Sequence, residues 1–296
     1  MYDLIIIGMG ISGISASIYA HRAGMKVLLL EGSAPGGTIN GISKIENYPG
    51  ISSISGPDLA YNLFEEVNKL GIEYKLEKVT DVILDENSKK IKTTNNVYEA
   101  KYLLIASGRR PKMLGLKEEE KFLGRGISTC ALCDGALYKN SDVAVIGGGS
   151  SALSEALYLA NIVNKVYLIH RRDEFRGEET LIEEVKQKDN IELILNNEVT
   201  ELKIENDTLT GIILKDGREI NVKGIFIYVG FIPNTDFLIN SGVNLEDGYV
   251  LVDEHHETNI KGVYASGDVT KKEIYQIINA ASEGAEAVVY MTNKVN

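Results

Sequence analysis

The sequence predicts an α/β fold of two parallel-sheet domains, and three observations predict it. A glycine-rich turn lies between a strand-like apolar run and a helix-like run twice in the chain, and in both copies the next strand ends at the same distance from the turn. Each copy is succeeded by short hairpin-like segments and then by another apolar strand. The chain has 296 residues, enough for two separate cores.

The first copy begins with the apolar run 2–7, turns at Gly8-Met9-Gly10-Ile11-Ser12-Gly13, continues as a helix over 14–23 and returns as a strand over 26–30. The first glycine permits the tight turn, the second lets backbone approach a pyrophosphate, and the third allows close helix packing. The helix N-terminus then faces the phosphate charge. Glu31 closes the second strand 18 residues after Gly13, where a carboxylate suits ribose hydroxyls. The uncharged stretch 4–20 is not read as a leader or a membrane span, because Asp3 precedes it and three glycines interrupt it.

The second copy runs through a strand over 142–146, the turn Gly147-Gly148-Gly149-Ser150-Ser151-Ala152, a helix over 153–160 and a strand over 165–169. His170 stands 18 residues after Ala152, in the register of Glu31, and is followed by Arg171, Arg172 and Arg176. A carboxylate there would repel a 2′-phosphate, whereas guanidinium forks grip one. The first site therefore suits FAD or NAD, and the second suits NADPH. A solvated cationic turn is the plainer reading of the arginines.

Strand-like segments come next at 191–195, 199–204, 209–214 and 219–222, with an apolar strand at 224–229. A matching series occupies 79–84, 89–94 and 97–100, with an apolar strand at 102–106. Each half is expected to insert a small sheet and return to its main parallel sheet.

The two cysteines form Cys130-Ala-Leu-Cys133, with Asp134 next, at the entrance to the second fingerprint. Such a pair is a redox dithiol, half of a zinc site, or two buried small thiols. Zinc takes about four protein ligands, and His21, His170, His255 and His256 show no ligand spacing near the pair. The net charge of −11 argues against nucleic-acid surfaces and anionic membranes as partners. A cycling dithiol is at home in the cytoplasm.

These motifs occur in order with Gly36-Gly37, Glu46-Asn47-Tyr48-Pro49-Gly50, Ala106-Ser107-Gly108, the run 230–235 and Ala265-Ser266-Gly267-Asp268. Together they resemble the low-molecular-weight thioredoxin reductases, flavin-dependent pyridine nucleotide-disulfide oxidoreductases, over essentially the whole chain. The resemblance implies two Rossmann-like dinucleotide-binding domains of three-layer ββα architecture, the second inserted in the first. An FAD-binding domain would span 1–112 and 245–296, and an NADPH-binding domain 113–244. FAD would be held by Gly8, Gly10, Ile11, Ser12, Gly13, Glu31, Gly36, Gly37, Asn47, Gly108, Gly267, Asp268, Gln276 and Ile277. NADPH would meet Gly147, Gly149, Ser150, Ser151, Ala152, His170, Arg171, Arg172 and Arg176.

The resemblance further implies that Cys133 faces the flavin, that Cys130 attacks the disulfide of thioredoxin or a thioredoxin-like protein, and that Asp134 serves as acid and base. Rotation of the inserted domain near 111–116 and 241–246 and a homodimer are implied as well. Three positions depart from the family pattern: Ser150 replaces Asp, Thr38 replaces Gln, and Tyr275 replaces Arg. They leave reduced ferredoxin as an alternative electron donor. A redox flavoprotein without turnover is the remaining alternative.

Overall fold

The computed structural model describes residues 1–42, 44–86 and 88–293. They form two compact units, one of residues 1–110 with 232–296 and one of residues 111–231. The chain therefore returns to the first unit 13 residues before the expected boundary at 245. Leu238 and Val243, which the sequence places before that boundary, are buried in one core with Ile5, Leu28 and Val82.

In chain order the first segment contains β1 (Tyr2–Ile7), α1 (Ile11–Arg22), β2 (Val27–Leu30), α2 (Gly56–Lys69), β3 (Glu73–Lys75), β4 (Val79–Leu84), β5 (Lys89–Thr93), β6 (Val97–Ile105) and β7 (Arg109–Pro111). The inserted unit begins with α3 (Glu119–Phe122), β8 (Ile127–Ser128), α4 (Ala131–Asp134), β9 (Asp142–Gly147), α5 (Ser150–Ala160) and β10 (Lys165–Ile169). It continues through α6 (Glu179–Lys186), β11 (Ile191–Ile194), β12 (Val199–Glu205), β13 (Thr208–Leu214), β14 (Glu219–Asn221) and β15 (Gly224–Tyr228). After β16 (Phe231–Pro233) the last segment adds β17 (Leu245–Glu246), β18 (Tyr249–Val250), β19 (Val263–Ala265) and α7 (Ile277–Asn293).

The discontinuous unit is built on the parallel order β3-β2-β1-β6-β19, with β5 and β4 continuing antiparallel from the first half of β6. Leu4, Ile5 and Ile6 have no exposed surface, as a central strand covered on both faces requires. The inserted unit repeats the pattern with the all-parallel order β11-β10-β9-β15-β8, beside a separate antiparallel sheet β12-β13-β14.

Three expectations change. The segments 97–100 and 102–106 are one strand, β6, because Lys101 points outward without interrupting the pleat. The small sheet of the first half is consequently fused to the main sheet. Ile191–Ile194 belongs to the main sheet as a parallel edge on β10.

The sequence reading also missed α2, whose signals are local. Ser55 caps it by accepting the Asp58 N–H at 3.2 Å, a proline sits in the first turn, and Lys69 complements the last. Its buried face is Leu59, Ala60 and Val67. Among the described residues, no helix is long and apolar enough to cross a membrane.

Candidate active site

In the discontinuous unit, β1 runs into Gly8, whose φ of +108° is open to glycine, and a Cβ there would stand 2.3 Å from the Ala106 carbonyl oxygen. A Cβ on Gly13 would meet the Gly8 carbonyl oxygen at 2.0 Å. Gly10 differs, since no atom lies within 4 Å of where its Cβ would be. The fold thus requires the outer two glycines, whereas the middle one leaves room for something the protein does not supply. No side chain caps the first turn of α1, so the amides of this turn remain available to an anion.

Glu31 leans over this turn. Its carboxylate accepts the Met9 N–H at 2.8 Å and the Ser33 N–H at 2.8 Å. Each oxygen keeps acceptor capacity for a hydroxyl donor. The Gly36-Gly37 loop closes on the same turn: the Gly36 N–H donates to the Met9 carbonyl at 2.7 Å. A Cβ on Gly37 would lie 3.6 Å from Gly10 Cα.

The distant segments also converge. Ser12 and Ser266 share a buried hydroxyl hydrogen bond of 2.7 Å, and a Cβ on Gly284 of α7 would be 2.1 Å from the Ser12 carbonyl oxygen. The Gly267 N–H donates to Glu283 at 2.8 Å. Asn47 donates to the Gln276 side-chain oxygen at 3.3 Å, just before α7 begins at Ile277.

Asp268 accepts a fork from Arg109, at 2.8 and 3.1 Å, and the Arg109 guanidinium stacks 3.9 Å from the centre of the Tyr275 ring. Beside it, the Gly108 carbonyl accepts the Asn234 N–H at 3.0 Å. Asn234 and Ser107 bond twice more, at 2.7 and 2.9 Å.

In the inserted unit Gly147 and Gly149 repeat the division of labour. A Cβ on Gly147 would lie 2.4 Å from the Tyr228 carbonyl oxygen, whereas Gly149 has nothing within 4 Å. Ala152 is buried as the third small residue, and Ser151 is exposed. The Ser150 hydroxyl accepts the Glu178 N–H at 3.1 Å. Arg171, Arg172 and Arg176 lie on the loop after β10, all three exposed. That loop is tied to the fingerprint by the Arg176 N–H, which donates to the Gly148 carbonyl at 2.7 Å.

His170 does not join them. Its ring is stacked on Phe175 at 5.6 Å and is only 7% exposed. A Cβ on Gly148 would stand 2.3 Å from that ring. Burial, with the three arginine charges nearby, pushes the imidazole below its usual range. It is a neutral platform under the fingerprint, not a cation for phosphate.

Cys130 and Cys133 are joined by a disulfide. Cys130 caps the single turn of α4, its sulfur accepting the Cys133 N–H at 3.1 Å. Its own N–H donates to the Ser128 hydroxyl at 3.0 Å. The next amide, of Ala131, donates to the Tyr228 hydroxyl at 2.9 Å. Cys133 is exposed, while Cys130 and Asp134 are half-buried. Such a turn can hold a thiolate on Cys130 through the same amide.

The sequence reading missed Arg109 and Tyr228, and took Ser266 only as part of the run Ala265–Asp268. Arg109 comes directly after the Ala-Ser-Gly run and could have been noticed. Tyr228 has no local signal, because its partner, the Ala131 amide, lies 97 residues away.

A family model described as pyridine nucleotide-disulphide oxidoreductase matches residues 2–284. A thioredoxin reductase of Listeria innocua is 38% identical over 97% of this chain and 92% of its own length. The crystal structure of Lactococcus lactis thioredoxin reductase matches with a TM-score of 0.94 at 38% identity, covering 100% of this chain and 99% of that one. The T. acidophilum thioredoxin reductase structure matches with a TM-score of 0.92 at 35% identity, covering 100% and 99%. A ferredoxin-flavin thioredoxin reductase of Clostridium acetobutylicum gives 0.55 at 31% identity, covering 99% and 98%. Paired fingerprints, a disulfide one residue before an acid, and likeness over nearly the full length agree: the chain belongs to the pyridine nucleotide-disulphide oxidoreductase family, among its thioredoxin reductases.

Proposed function

We propose that this protein is an NADPH-dependent thioredoxin-disulfide reductase that passes electrons through FAD to the Cys130–Cys133 disulfide, and from there to thioredoxin or a thioredoxin-like protein. The observation that carries this reading is the disulfide itself, set next to Asp134 in the same unit as the arginine-bearing fingerprint.

The fit of the cofactors rests on the open space at Gly10 and Gly149. FAD would lie along the α1 turn in the discontinuous unit, with Glu31 on its ribose and Gly36, Gly37, Asn47, Gly108, Gly267, Asp268, Gln276 and Ile277 around it. NADPH would lie on the α5 turn in the inserted unit, its 2′-phosphate on Arg171, Arg172 and Arg176. Bound FAD supplies the two-electron exchange between nicotinamide and disulfide. The protein's part is to hold charge and move protons. Arg109 neutralises Asp268, the Cys133 amide supports a thiolate on Cys130, and Asp134 gives or takes the proton of the departing thiol.

A cytoplasmic homodimer completes the proposal, supported by the reducing environment a cycling dithiol needs and by the family resemblance.

Anaerobic mixing of the FAD-loaded enzyme with NADPH tests the donor and the flavin together. Rapid bleaching of the flavin absorbance, followed by NADPH oxidation when oxidised thioredoxin is added, is the expected result. Bleaching by reduced ferredoxin alone would transfer the function to the other donor. Turnover retained in both Cys130→Ser and Cys133→Ser would remove the disulfide from the pathway.

A further inference from the structure

On α5, the helix that packs against the disulfide turn, stands a buried acid that the proposed function does not use. Glu155, on the second turn of α5, is 7% exposed, and one oxygen of its carboxyl has no hydrogen-bond partner. A charged carboxylate left so is strongly disfavoured. Glu155 stands on the helix that supports α4: Ala131 packs in one core with Ala152, Ala156 and Leu159 of α5 and with Tyr228. A Cβ on Gly135 would lie 3.1 Å from Leu159.

Tyr228, on β15, connects the two. Its hydroxyl accepts the Ala131 N–H, one residue from Cys130, and Glu155 is the nearby charge acting most strongly on its phenol. Asp134 of α4 acts on the same phenol, and on Tyr138 of the turn beyond it. From β9, β10 and α6, the remaining elements packed on α5, no ionisable group shifts Glu155, for which burial alone is the cause.

We propose that Glu155 is a buried proton site linked to the redox state of Cys130–Cys133, taking up a proton as the disulfide is reduced and releasing it as the dithiol is re-oxidised. Glu155 acts through Tyr228 and the Ala131 amide, which makes it a positioning residue. The proposal rests on the reading that this disulfide cycles.

The step balances. Two electrons from the NADPH-driven activity break the S–S bond, one proton makes one sulfur a thiol, and the other sulfur remains a thiolate. Where Glu155 is ionised, a second proton from solvent neutralises it. The reason is Coulombic: a thiolate above α4 adds negative charge next to a low-dielectric site, raising the cost of a carboxylate there. By reciprocity, an ionised Glu155 makes the disulfide harder to reduce. Burial sets the carboxyl's midpoint at about 7, so the linkage falls in the working range of pH.

The test measures reduction of Cys130–Cys133 in the FAD-loaded enzyme at equilibrium with dithiothreitol, read by thiol alkylation, for the wild type and Glu155→Gln. Below about pH 6 the two equilibrium constants should agree, and by about pH 9 that of the variant should exceed the wild type by about threefold or more. A ratio that stays constant across this range overturns the linkage. A disulfide that no reductant opens in the wild type overturns the cycling reading itself, and the linkage with it. Should Glu155→Gln misfold, redox-difference infrared spectra of the wild type decide. At about pH 8, reduction should increase the protonated-carboxyl band; an unchanged band refutes the proposal.

Discussion

A glycine can be required by its own fold or by its ligand, and Gly13 and Gly10 separate the two cases. Gly13→Ala places a methyl 2.0 Å from the Gly8 carbonyl and should cost about 1–3 kcal/mol or more of stability. Gly10→Ala meets no atom, so it should cost about 1 kcal/mol or less in the apoprotein. FAD affinity should nevertheless fall at least as far in Gly10→Ala as in Gly13→Ala. Chemical denaturation of the apoproteins and FAD titration check the contrast. In the inserted unit, Arg171→Ala and Arg172→Ala should each raise KM for NADPH by about 10-fold or more, leaving KM for NADH nearly unchanged. A parallel rise for both nucleotides would place the 2′-phosphate elsewhere.

Glu155 also governs stability. Its carboxyl titrates at about 7 in the fold against 4.5 ordinarily, so as pH rises the unfolded chain loses this proton before the folded protein does. The raised midpoint therefore supports the fold fully below pH 4.5, and that support is lost between 4.5 and 7. Relative to wild type, Glu155→Gln should gain about 3 kcal/mol on going from acid to mildly alkaline pH. Urea denaturation of both proteins at the two pH values measures it.

Among the elements, α7 and α1 form the tightest contact around the first fingerprint. Ser12 offers its carbonyl to the face of Gly284 and its hydroxyl to Ser266, so the small residues of α7 let the C-terminal helix lie directly on the turn. Gly284→Ala should push the helices apart, lowering stability by about 1–3 kcal/mol and loosening FAD. Thermal melting with and without added FAD reads both effects. The single turn α4 works differently, since its four residues are too few to be stable alone. It is held by Ala131 packed on α5 and by the Tyr228 hydroxyl. The redox turn therefore owes its shape to the strand and helix of the second βαβ unit.

The whole molecule is one architecture used twice. The orders β3-β2-β1-β6-β19 and β11-β10-β9-β15-β8 correspond strand for strand. The outermost strand comes last in the discontinuous unit and first in the inserted one. Each unit owns its cores: Leu4, Ile6 and Leu29 for one, Val143, Leu168 and Phe226 for the other. Residues 111–231 expressed alone should thus fold cooperatively and bind NADPH within about tenfold of the full enzyme. Circular dichroism melting and calorimetric titration check this, and an unfolded fragment would contradict it.

The sequence by itself determined the two βαβ units, their glycine-rich turns, the exchange of Glu31 for His170 with its arginines, and the redox pair. These features are local, written as periodicity and spacing within about 30 residues. Tertiary structure alone decided that His170 is buried under Gly148, that β6 runs unbroken past Lys101, and that 232–244 belongs to the first unit. It also decided that Arg109 forks onto Asp268 and that Glu155 is buried on the helix against which Ala131 of the disulfide turn packs. The reason is physical: burial and long-range pairing depend on what covers a residue, and nothing in the neighbouring residues records it.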